Sequence, residues 1–183
     1  MVKHILTTKC PRSCSYCISK NINIEERKSS FANSRALLGI YNSLSAKHDS
    51  IMLTGGEPSC SDNFPIAVKH AKSMFKKVFL TTQDVFFLLS DYSNQFDAVI
   101  FSWHDYNSDL FYKINNRATI YCSILADLFK SSLPLTLKEL GYAGLTINEN
   151  HFGSETFDES RLPQIENFSI RINRRGKCFE ADT

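Results

Sequence analysis

At 183 residues, with 43% hydrophobic and 22% charged side chains, the chain can bury a core without disulfide staples, and one domain is the expectation. A net charge of +2 is too mild to argue for a nucleic-acid partner, so Lys9, Arg12 and Lys20, and Arg171, Arg174, Arg175 and Lys177 near the end, read as solvated basic faces. No stretch approaches the roughly 20 apolar residues of a membrane span, and Met1 to Thr8 turns polar too soon for a signal peptide, so the expected location is cytoplasmic with no membrane partner.

Strand-like "KHILTT" leads straight into "CPRSCSYC", which places a cysteine loop at the C-terminal end of a first strand. From Arg35 to His48, Leu37, Leu38, Tyr41 and Leu44 recur at helical spacing. "SIMLT" reads as a second, buried strand ending in "GGEPS". "DNFPIAVKHAKSMF" then gives a helix with an early proline and Ala67, Ala71 and Met74 on one face. The unit repeats: "KVFLTT" before "DVFFLLSDY", "DAVIFSW" before a polar stretch, "ATIYCSIL" before "PLTLKELG" closed by Gly141, and finally "AGLTIN".

Six βα-type strands imply a parallel sheet with right-handed crossovers and outer helices, short of the eight strands that close a full barrel. The expected fold class is therefore α/β, a partial (β/α)6 TIM-like barrel over about residues 1–150. Residues 151–183 form a C-terminal extension in the same single domain, irregular at first and then running into "FSIRIN", a candidate edge strand.

In folds of this kind ligands bind at the carboxyl ends of the strands. The distinctive residues fall there: Cys10 to Cys17, Gly55 to Pro58, Thr81 to Asp84, and Ser102 to Asp105. In a reducing cytosol clustered cysteines point to metal ligation rather than to disulfides. The three at 10, 14 and 17 lack the fourth ligand that a tetrahedral zinc site or a closed iron–sulfur cluster takes. Two chemistries stay open on spacing alone: a zinc site completed by Cys60, Cys178 or a histidine, and an iron–sulfur cluster with one iron left open. Otherwise Cys60, Cys122 and Cys178 read as small buried apolar residues.

"CPRSCSYC" resembles the CxxxCxΦC motif of the radical S-adenosylmethionine (SAM) superfamily, with Tyr16 as the aromatic, and "GGEP" at Gly55 to Pro58 resembles that family's second signature. The resemblance implies a radical SAM enzyme, an oxidoreductase in which Cys10, Cys14 and Cys17 hold three irons of a [4Fe-4S] cluster and SAM occupies the fourth. It implies an external electron donor such as flavodoxin or ferredoxin, and reductive cleavage of SAM to a 5′-deoxyadenosyl radical that abstracts hydrogen from a substrate. By the same resemblance, Gly55 and Gly56 let backbone approach the methionine end of SAM, Glu57 meets its ammonium, Pro58 fixes the turn, and Tyr16 contacts adenine. Ser102, with His104 as alternate, binds ribose, and Ser123 and Asn148 close over the adenine.

For the substrate the expectation is a peptide or protein, because few residues after the sixth strand cover the opening of a partial barrel and "TTKCPRSCSYC" looks like the general and peptide-modifying branches, although a cysteine-rich C-terminal extension for auxiliary clusters is lacking. The alternatives are a glycyl-radical-enzyme activase, a small-molecule carboxydeazaguanine-type synthase, and, from another class, a zinc or iron–sulfur binding module without turnover.

Overall fold

The computed structural model describes residues 1–12, 14, 17, 34–103, 111–149 and 156–174. Tyr16 and His104 lie outside the described residues, as do Asp105 and Cys178. Two compact units emerge, Met1–Thr82 and Gln83–Thr183.

In the first unit the strands are β1 (Val2–Thr7), β2 (Ser50–Gly55) and β3 (Lys77–Thr82), with helices α1 (Ser34–Ser45) and α2 (Phe64–Met74) between them. β2 pairs in parallel with both β1 and β3. Leu37 and Tyr41, one helical turn apart on α1, are buried, as are Ala67, Val68 and Ala71 on α2 and Ile51, Leu53, Val78 and Leu80 on the strands. Leu38, expected on the same apolar face as Leu37, is instead exposed. Ladder pairing slips between Ile5 and Thr7, where β1 carries a bulge. The bulge breaks the alternation of burial, so that Leu6 and Thr7 are both buried.

In the second unit β4 (Ala98–Ser102), β5 (Ile120–Leu125), β6 (Gly144–Asn148) and β7 (Ser169–Asn173) pair in parallel in that order. Its helices are short, α3 (Phe86–Leu89) and α4 (Leu133–Glu139). Val99, Phe101, Ile120, Cys122, Ile124, Leu137, Leu145 and Ile147 are buried here. Burial pushes the Cys122 thiol pKa up, which keeps it a neutral, apolar side chain. Gly141 (φ +92) ends α4 as expected, donating its N–H to Lys138 O at 3.0 Å.

All seven strands of the described residues run parallel to a sequence neighbour, and in each unit they stand in chain order, the topology of a partial TIM-like α/β fold. The six βα-type strands are joined by "FSIRIN", the candidate edge strand, which forms β7 and pairs in parallel with β6. "DVFFLLSDY" does not extend into a full helix. Asn116 Nδ2 donates to Leu88 O and Ser90 O at 2.9 and 3.1 Å, taking carbonyls that a longer helix would use, and Ser90 is extended.

Candidate functional site

The first unit carries the cysteine loop and the glycine turn, and main-chain hydrogen bonds join them. Gly56 donates its N–H to Thr7 O at 2.7 Å, and Glu57 donates to Lys9 O at 2.8 Å, so the "GGEP" turn is stitched to the residues that lead into Cys10. Lys9 N–H in turn donates to Thr7 Oγ1 at 3.1 Å.

This contact explains both glycines. A Cβ on Gly56 would stand 2.3 Å from Lys9 O and 2.7 Å from Thr8 O, and one on Gly55 (φ +138) would stand 2.3 Å from Thr7 O. The space each glycine leaves is filled by the backbone of residues 7–9, a reason nearer at hand than approach to a ligand.

Cys10, Cys14 and Cys17 are half-buried, and Cys17 N–H donates to Cys14 O at 3.2 Å across a turn. Three thiols on one short loop, partly open to solvent, fit a [4Fe-4S] cluster as a donor set: soft thiolates, each for a different iron. Among the described residues no three His, Cys, Asp or Glu side chains form a group that could hold a metal ion. Cys60, expected to be buried, is half-buried at the end of the 3-10 turn Pro58–Cys60, directly after the glycine turn.

Glu57 is buried at 2% exposure. Its Oε1 accepts from Thr82 Oγ1 at 2.8 Å, from Ser59 Oγ at 3.1 Å and from Ser59 N–H at 3.3 Å. The carboxylate thus caps the turn that begins with buried Pro58 and is tied to the end of β3. Thr82 belongs to the Thr81–Asp84 strand end marked in the sequence, but its partner could not be read there, since Glu57 lies on the neighbouring strand connection.

The second unit brings Ser102, Ser123 and Asn148 together at the carboxyl ends of β4, β5 and β6. Ser102 and Ser123 are register partners. Asn148 Nδ2 donates to Ser123 Oγ at 2.8 Å and to Ile124 O at 3.0 Å. Asn173 Nδ2 donates to Asn148 Oδ1 at 2.7 Å, so both ends of the Asn148 amide are fixed. Beside it Trp103 is buried and packs against Phe111 with ring centroids 4.6 Å apart.

Sequence reasoning missed one polar cluster. Glu149, the residue after β6, has a buried side chain whose Oε1 accepts from Arg174 at 2.6 Å and from Phe157 N–H at 3.0 Å. Arg174, the residue after β7, also donates to Phe157 O at 2.9 Å and to Glu159. Its hydrogen bond to Glu149 raises the guanidinium pKa further. The available signal was position alone: each residue directly follows a strand on the same side as the other strand-end residues.

No helix among the described residues is long and apolar enough to cross a membrane. No curated protein matched the chain. Residues 4–149 match the family model described as the Radical SAM superfamily, a span that contains both motifs, the end of β1 and all of β2 to β6. With most of its length matched, the chain belongs to the radical SAM superfamily, whose members are enzymes that use a [4Fe-4S] cluster, SAM and an external electron donor.

Proposed function

We propose that Cys10, Cys14 and Cys17 hold the [4Fe-4S] cluster and that the "GGEP" turn receives the methionine end of SAM at the iron the polypeptide leaves open. What supports this reading is the pair of hydrogen bonds, Gly56 N–H to Thr7 O and Glu57 N–H to Lys9 O, that ties the turn to the base of the cysteine loop. Glu57 offers a buried carboxylate to the ammonium of SAM, a charge-assisted contact strengthened by low local polarity. Pro58 fixes the start of the following turn. On the family resemblance, Tyr16, Ser102, His104, Ser123 and Asn148 serve the nucleoside, with the Ser123 hydroxyl and the Asn148 amide already oriented by one another.

Held by Cys10, Cys14 and Cys17 and reduced by an external donor, a [4Fe-4S] cluster would supply the one-electron chemistry for reductive cleavage of SAM. The protein's part is to orient SAM and to exclude water and oxygen. The substrate class we assign is a peptide or protein, on the likeness of "TTKCPRSCSYC" to the general and peptide-modifying branches.

The test is anaerobic reconstitution with iron and sulfide, reduction, and measurement of 5′-deoxyadenosine. The expected result is product from the parent protein and none from Cys14→Ala. Stoichiometric zinc with no iron uptake and no SAM binding overturns the reading.

A further inference from the structure

Thr82 closes β3, and its hydroxyl, like the Glu57 carboxylate, is almost wholly buried; the two side chains meet at 2.8 Å. The Ser59 hydroxyl and N–H, which also donate to Glu57 Oε1, lie inside the same turn and could be replaced by any local cap. Thr82 reaches in from the next strand, 25 residues away in sequence.

We propose that Thr82 is a positioning residue for recognition of the SAM ammonium: its hydroxyl locks the rotation of the Glu57 carboxylate so that the charged group is presented in one orientation. This rests on the assignment of Glu57 to SAM made above. A carboxylate at the end of a flexible side chain, held only by neighbours in its own turn, moves with that turn. A bond to a sheet residue fixes it to the strands instead. A β-branched threonine in a strand has restricted χ1, so its hydroxyl is aimed before any ligand arrives. Valine would fill the same volume yet remove the donor, leaving the buried oxygen with one hydrogen bond fewer.

The experiment measures SAM affinity by calorimetry on reconstituted protein, with iron content, the cluster's absorption spectrum and Tm as companion readouts. Four variants are compared: Thr82→Val, Thr82→Ala, Thr82→Ser and Glu57→Gln. The expected result is SAM binding weakened about tenfold in Thr82→Val and Thr82→Ala, with iron content unchanged, and restored to within about twofold by Thr82→Ser. In turnover KM for SAM rises while kcat holds. Glu57→Gln keeps an oxygen that can accept from Thr82 and Ser59 but removes the charge, so it weakens SAM binding without losing the turn.

A fall in Tm with SAM affinity intact in the valine and alanine variants, while Glu57→Gln binds poorly, overturns the role of Thr82 and leaves that of Glu57 standing. Parental affinity in Glu57→Gln overturns the Glu57 assignment, and the proposal with it. If Thr82→Val does not fold, Thr82→Ala decides the same question without added bulk.

Discussion

Replacing Gly56 by alanine tests whether the junction between the glycine turn and the cysteine loop has no spare room. The added Cβ would sit 2.3 Å from Lys9 O, 2.7 Å from Thr8 O and 2.8 Å from Lys9 C, all main-chain atoms that no rotamer change can move aside. Ordinary contact lies about an ångström farther out, so the turn must back away from residues 8 and 9. That displacement stretches the Gly56 N–H to Thr7 O bond (2.7 Å) and the Glu57 N–H to Lys9 O bond (2.8 Å).

Losing both bonds removes about 1 kcal/mol each, and the residual overpacking adds roughly 1–3 kcal/mol, so the expected destabilisation is about 3–5 kcal/mol. Urea unfolding of the metal-free, reduced protein followed by circular dichroism should show it as a midpoint lower by about 1.5–2.5 M at a slope near 2 kcal/mol/M. Iron uptake on reconstitution should fall as well. Gly39 is the control. It lies on α1 with nothing within 4 Å of a built Cβ, so Gly39→Ala should stabilise by about 0.5–1 kcal/mol through helix propensity and a less flexible unfolded chain. If Gly56→Ala keeps its midpoint within the scatter of surface substitutions, about 0.5 kcal/mol, and binds iron normally, the account of the junction is wrong.

Two further outcomes concern the core of the first unit. His4 is buried edge-on against Tyr41 with its pKa lowered by burial, so the folded state holds it neutral while the unfolded chain protonates near pH 6.5. Its contribution is therefore intact above that pH and declines as pH falls below it, at most by about 1.4 kcal/mol per pH unit. Unfolding at pH 7 and pH 5 should show a smaller loss in His4→Phe, and an identical loss would exclude His4 as a source. The Tyr41 hydroxyl is buried with no hydrogen-bond partner among the described residues, so Tyr41→Phe should raise stability by about 1 kcal/mol. A drop of similar size would mean that the hydroxyl is satisfied after all.

What could be read from the residues was whatever depends on local order. Strand ends, the cysteine spacing and the glycine turn were legible because apolar runs and turn residues announce them within a few positions, and the parallel α/β class followed from their alternation. The partners of those features were not. Glu57 meets Thr82, Asn116 cuts α3 short, and Arg174 neutralises Glu149, each across roughly 25 residues of intervening chain. Such pairings are set by register between strands and connections, which no local pattern encodes. The seventh strand shows the same limit: its alternation was visible, whereas its parallel pairing with β6 depended on the course of the chain before it.

The slip in β1 between Ile5 and Thr7 bears on how portable the cysteine segment is. Because side chains alternate from one side of a strand to the other, a single extra residue reverses the outlook of everything after it. Joining Cys10 to Cys17 to a regular strand of another scaffold would therefore turn away the residue in the place of Thr7, whose carbonyl accepts from Gly56 and whose hydroxyl accepts from Lys9. A faithful graft has to carry Leu6 and Thr7 along with the motif, and the phase set by those two residues is as much a part of the motif as its spacing.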